Sequence, residues 1–136
     1  NNTTVKIEIY GIFYKGPTTG SPTTHQIGRN FVHTFNLVST TGAYIHGISM
    51  YSGTYTLSNN IVFLGNNITT GCSIWGLWNY SSSPIRIYHN TSYLTGTASS
   101  GTSFSYAMRD LSGSATDRKI KNNIFFTLFI VCAACI

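Results

Sequence analysis

Charge is scarce in this chain. Charged residues make up 8% of its 136 positions, against roughly a quarter in an ordinary globular domain, and only three are acidic: Glu8, Asp110 and Asp117. So few carboxylates leave little for acid/base catalysis between paired acids or for an oxygen-rich calcium site. Cysteine is equally sparse. Cys132 and Cys135 have redox-motif spacing but no basic or histidine neighbour to lower a thiol pKa. On a strand, positions three apart face opposite sides, so the pair reads as small buried apolar residues, while Cys72 is expected in a turn. The four histidines are scattered, and neither a metal nor a cofactor is expected. Sustained helical periodicity is missing as well. The longest apolar run, Ile124–Ile136, is broken only by Thr127 and falls short of the roughly 20 residues of a membrane helix, so no transmembrane segment is expected. It reads as a terminal strand buried on both faces or as an interface. The chain opens Asn1-Asn2-Thr3 without methionine, as a mature or trimmed chain does.

The formal charge is +5. Its only basic cluster is Arg118-Lys119-Ile120-Lys121, whereas nucleic-acid binding wants a denser stripe, so nucleic acid is not an expected partner. Ser, Thr, Asn and Gly abound in place of charge, and a hydroxyl- and amide-rich surface of this kind suits an extracellular or cell-surface setting.

The chain carries one recurring frame. It runs as Ile27-Gly28-Arg29-Asn30-Phe31-Val32-His33, Leu57-Ser58-Asn59-Asn60-Ile61-Val62-Phe63, Ile87-Tyr88-His89-Asn90-Thr91-Ser92-Tyr93 and Ile120-Lys121-Asn122-Asn123-Ile124-Phe125-Phe126. The period is 30, 30 and then 33 residues, and extrapolation back lands on Asn2. A fixed period of this length, with short β-type runs and a polar turn per unit, is a solenoid signature. Asn tolerates left-handed backbone, so each central asparagine is expected to make the bend between two strands. Stacked one rung apart, about 4.8 Å, Asn30, Asn60, Asn90 and Asn123 form a ladder in which side-chain amides satisfy one another.

A second set of positions keeps the same period. Tyr44-Ile45-His46-Gly47-Ile48 matches Ser73-Ile74-Trp75-Gly76-Leu77 and Phe104-Ser105-Tyr106-Ala107-Met108, with Tyr10-Gly11-Ile12 as a degenerate first copy. Small residues at 47, 76 and 107 beside large ones suit a narrow interior.

These frames resemble repeats of right-handed parallel β-helix proteins of the pectin-lyase-like superfamily, above all the low-charge, Ser/Thr/Gly-rich versions in secreted bacterial surface proteins. The resemblance covers residues 27–126 and implies an all-β, right-handed parallel β-helix of four to five rungs. The chain then reads as a single domain over 1–136, with a turn-rich loop excursion at 16–26 and the apolar end at 127–136. The fold hosts lyases, hydrolases, adhesins and inert scaffolds, so it does not choose a function.

Three candidate sites follow. His46, Trp75 and Tyr106 are expected to project outward in one column, with Ser49, Trp78 and Arg109 in the next. Aromatic planes beside hydroxyls and amides can stack on sugar rings. Asp110 and Asp117 fall on one rung near Arg109, a weak candidate catalytic set. Asn2, Asn67 and Asn79 open Asn-X-Ser/Thr sequons, with Asn67 and Asn79 expected in turns. The leading expectation is a non-enzymatic extracellular structural or adhesive scaffold, glycosylated and assembling head to tail through uncapped ends. A carbohydrate-binding module is the alternative, and a polysaccharide lyase or hydrolase comes last.

Overall fold

The computed structural model describes residues 7–18, 23–35, 37, 43–66, 72–98, 104–113, 117–128 and 130–131. Asn2, Asn67, Cys132 and Cys135 lie outside them, as do residues 19–22 of the loop at 16–26, whose last two positions, His25 and Gln26, belong to a strand. The first rung consists of β1 (Ile7–Lys15), β2 (His25–Gly28) and β3 (Phe31–His33). The second consists of β4 (Ala43–Ser52), β5 (Tyr55–Ser58) and β6 (Ile61–Leu64). β7 (Cys72–Asn79), β8 (Ile85–Tyr88), β9 (Thr91–Leu94) and the short β10 (Thr97–Ala98) make the third. The fourth holds β11 (Tyr106–Asp110), β12 (Arg118–Lys121), β13 (Ile124–Thr127) and β14 (Ile130–Val131).

Equivalent strands pair in parallel across rungs. They form three four-stranded sheets, β1-β4-β7-β11, β2-β5-β8-β12 and β3-β6-β9-β13, with β10 and β14 as a small fourth pair. This is a right-handed parallel β-helix of about four rungs. The pairing follows the repeat: His25 stands on Tyr55 and Ile85, and Phe31 on Ile61 and Thr91.

Alternation along the short strands explains the core. Tyr55 and Leu57 on β5, and Ile85 and Ile87 on β8, are wholly buried, whereas Thr56, Ser58, Arg86 and Tyr88 between them are half-buried on the outer face. Each apolar side chain so enclosed contributes about 1.5–3 kcal/mol. The small column has a steric cause. A Cβ on Gly47 would meet Val62 Cγ1 and the Gly76 carbonyl, both at 2.5 Å, and one on Gly11 would meet Val32 Cγ1 at 2.5 Å. The first sheet lies against the third there, and at Gly11 and Gly47 a Cβ has no room.

The asparagine ladder is continuous. Asn30 Nδ2 donates to Asn60 Oδ1 (2.9 Å), Asn60 Nδ2 to Asn90 Oδ1 (2.9 Å) and Asn90 Nδ2 to Asn123 Oδ1 (3.0 Å). Each of these acceptor oxygens also takes the backbone N–H of the asparagine one rung away. The bend itself is made one residue earlier than the sequence suggests. Arg29, Asn59, His89 and Asn122 carry φ of 61°, 56°, 55° and 54°. The ladder asparagine turns inward just after them, while the left-handed residue keeps its side chain in solvent, which is why its identity varies.

The described part of the apolar end, up to Leu128, is not buried on both faces: Ile124, Phe125, Phe126 and Leu128 are all exposed. Ile120 and Phe125 are 41% and 38% exposed, although their partners Ile87 and Ser92 one rung away are 0% exposed. Nothing among the described residues covers that side of the fourth rung.

Candidate functional site

The first sheet bends at its small column. β4 pairs His46 with Trp75 and Ile48 with Leu77 but skips the glycine between them. Ile45 and Ile48 both enter the core, Gly47 abuts Val62, and strict alternation is lost. His46 and Ser49 therefore emerge side by side on the outer face, with Ser49 Oγ 3.1 Å from His46 Nδ1. Repeated on every rung, the bend sets two columns next to each other: Tyr10, His46, Trp75 and Tyr106, and Phe13, Ser49, Trp78 and Arg109.

The two columns make a continuous aromatic face. Trp75 and Trp78 lie 4.8 Å apart, and Tyr44 stacks on Trp75 at 5.2 Å. The Arg109 guanidinium sits 5.3 Å from the Trp75 ring and 5.1 Å from the Tyr106 ring, a cation–π arrangement on both. Trp75, Trp78 and Arg109 are half-buried and Tyr106 is exposed.

His46 departs from expectation. It belongs to the outward column but is 0% exposed, because Tyr10 stacks on it at 4.4 Å while Trp75 and Trp78 close in at 4.6 and 4.5 Å. It supports the face from beneath and cannot touch a ligand. Burial lowers its pKa to about 4, outweighing the opposite pull of Glu8. The imidazole is thus neutral at pH 7. His46 Nε2, Trp75 Nε1 and Trp78 Nε1 are buried without hydrogen-bond partners. His46 meets Trp75 edge-on, at 86° between planes, a geometry suited to N–H···π contact.

Beside this face lies a recess of about 280 Å³ that sequence reasoning missed. Its walls include Tyr10, Phe13, Ser49, Tyr51, Trp78 and Tyr80, with Glu8 at its edge. Tyr10 Oη donates to Glu8 Oε2 at 2.6 Å, and burial together with that carboxylate raises the Tyr10 pKa to about 12. Tyr51 and Tyr80 stack at 5.3 Å. The signal for them was the spacing: each stands two residues after a member of the Ser49/Trp78 column.

The candidate catalytic set does not assemble. Asp110 Oδ2 pairs with Arg118 at 2.6 Å, and its Oδ1 accepts from Asn79 Nδ2, Ser112 N and Ser112 Oγ. Asp117 pairs instead with Arg86 at 2.7 Å, and that hydrogen bond holds its carboxyl below the usual range. Arg109 lies over aromatic rings rather than beside either acid. Both carboxylates thus tie one rung to the next. Ser49 and His46 make no triad either, since both are buried and the second imidazole nitrogen has no partner to orient it.

Asn79 is not in a turn. It closes β7 at 0% exposure, donating to Asp110 and Ser112 and accepting from Tyr55 Oη and the Ser81 N–H. A glycan has no access to it in the folded chain. Among the described residues no group of three or more His, Cys, Asp or Glu is placed to hold a metal ion, and no helix is long and apolar enough to cross a membrane. No protein-family model, curated protein or solved structure matches the chain.

Proposed function

We propose that this chain is an extracellular adhesive scaffold, a β-helix of the pectin-lyase-like kind without catalytic activity, whose first sheet binds polysaccharide. The observation that carries this reading is the half-exposed strip of Tyr44, Trp75, Trp78 and Tyr106, capped by Arg109. Rigid rings on a sheet present apolar planes to the faces of sugar rings at small entropic cost, and the guanidinium adds donors for hydroxyl or carboxylate oxygens. Both aspartates are held in ion pairs, which argues against turnover. With Asn79 buried, Asn2 and Asn67 remain as candidate glycosylation sites.

Titration with neutral and acidic oligosaccharides, followed by tryptophan fluorescence and calorimetry, tests the reading. Each ring stacked on sugar contributes about 0.5–1.5 kcal/mol. Tyr106→Ala and Arg109→Ala should therefore each weaken binding about 2- to 10-fold. Absence of any saturable response across the panel, or variants equal to the wild type, would remove it.

A second reading is self-association, favoured by the core-facing side chains of Ile120 and Phe125, which no other described residue covers. A neighbouring copy stacked there would extend all three sheets, and a head-to-tail contact of this kind grows as a filament. Sedimentation velocity should show mass rising with concentration for the wild type but not for Phe125→Lys; a monomer at high concentration refutes it.

A further inference from the structure

We infer that the recess walled by Tyr10, Phe13, Tyr51, Trp78 and Tyr80 is a binding site for a small methylated ammonium ion such as choline, with Glu8 as its counter-charge. The recess shares Trp78 with the sugar-binding strip, but Trp75, Tyr106 and Arg109 do not line it, so the two readings can fail separately.

The first support is ring geometry. Tyr10 meets Phe13 at 68° between planes, Trp78 meets Tyr80 at 65°, and Phe13 and Tyr51 lie 6.2 Å apart at 40°. Tyr51 and Tyr80 stack on each other, but the angles of the other pairs leave a space between the rings. Aromatic faces carry negative potential, and several of them around one volume attract a cation. The protein already shows this attraction at the same wall, where Lys15 Nζ lies 5.4 Å from the Tyr51 centroid.

The second support is the carboxylate. The chain has three acids; Asp110 and Asp117 are neutralised by Arg118 and Arg86, whereas Glu8 makes no ion pair among the described residues. Among the described residues it accepts a hydrogen bond from the Tyr10 hydroxyl at 2.6 Å, which fixes the carboxylate at the recess and leaves its charge in place. A carboxylate with no ion-pair partner among the described residues, set beside an aromatic enclosure in a chain of net +5, marks a position built for a cation.

The identity of the cation follows from what the walls lack. A metal ion wants several oxygen ligands, and Glu8 is the only carboxylate here. A primary ammonium brings three N–H donors, and aromatic walls would leave most of them unpaired. A quaternary ammonium has none and presents methyl groups to the rings. The volume, about 280 Å³, lies at or below the range for drug-sized ligands and suits a headgroup of this size.

The test titrates the whole chain with choline at constant ionic strength, read by tryptophan fluorescence and calorimetry, against 3,3-dimethylbutan-1-ol, its uncharged isostere. Choline should bind saturably, at least about tenfold more tightly than the alcohol. Glu8→Gln and Trp78→Ala should weaken it several-fold. Lys15→Met should strengthen it by removing a like charge, an effect no structural role for Lys15 produces. Tyr106→Ala should leave choline binding unchanged, so that the sugar face and the recess are tested separately. Equal binding of choline and its isostere, or no saturable choline binding by a wild-type chain with an intact β-type circular dichroism spectrum, would overturn the assignment.

Discussion

Replacing Asn90 by alanine should be among the most damaging single changes available to this chain, while the same change at Asn30 should be mild. The Asn90 side chain is 1% exposed. Its Nδ2 donates to the carbonyls of Leu57 and Tyr88 and to Asn123 Oδ1, each at 3.0 Å. Its Oδ1 accepts from Asn60 N at 3.0 Å and Asn60 Nδ2 at 2.9 Å. Asn60 Nδ2 keeps the Ile27 and Ser58 carbonyls after the substitution, but the Asn60 backbone N–H, in a residue of 0% exposure, loses its acceptor. A hydrogen bond is worth about 1 kcal/mol net, and a stranded buried donor costs about 1–3 kcal/mol. With some bonds shared between two protons, the total comes to about 3–5 kcal/mol, a large part of the roughly 5–15 kcal/mol that holds a domain together. Asn30 is half-buried, its side chain donates among the described residues to Gly28 O and Asn60 Oδ1 alone, and its own backbone N–H survives the change. Its loss should cost about 1 kcal/mol. Urea unfolding followed by far-ultraviolet circular dichroism measures both, and Asn90→Ala should lower the midpoint by about 1 M or more. Equal costs at the two positions, or a cost below about 1 kcal/mol for Asn90→Ala, would refute the view that the ladder is a buried, mutually dependent network.

Two further outcomes are expected. Gly47→Ala drives a methyl into Val62 and the Gly76 carbonyl and should destabilise by about 1–3 kcal/mol, whereas Gly113→Ala, which meets nothing within 4 Å, should be near neutral; thermal melts of the pair decide it. Stability should also fall as the pH drops from about 6.5 towards about 4. The unfolded imidazole of His46 takes a proton in that window, while burial keeps the folded one neutral. This stabilisation is complete above the unfolded pKa, amounts to up to about 3 kcal/mol, and is lost on acidification. His46→Phe should flatten the slope, and an unchanged pH profile in that variant would show that another group is responsible.

Much of this architecture is legible in the sequence because a parallel β-helix writes its geometry as a period. The spacing of Asn30, Asn60, Asn90 and Asn123 is the length of one rung. Alternation around Leu57 or Ile87 states which side chain faces inward, since a strand's periodicity is a property of its own backbone. The match of Tyr44–Ile48 with Ser73–Leu77 likewise predicts the pairing of β4 with β7, residue for residue.

Burial was decided elsewhere. His46 reads as an outward residue and is one, yet Tyr10, 36 positions earlier, and Trp75 and Trp78, about 30 later, bury it completely. The bend at Gly47 comes from contact with Val62 across the interior, so local alternation could not announce that His46 and Ser49 stand together. Asn79 reads as a sequon in a turn, but Tyr55, Asp110 and Ser112 draw it inside. The left-handed turn residue precedes each ladder asparagine, because the ladder position needs its side chain turned inward and the residue before it does not. Sequence sets what repeats along the chain; the stacking of neighbours from other rungs sets what water and ligands reach.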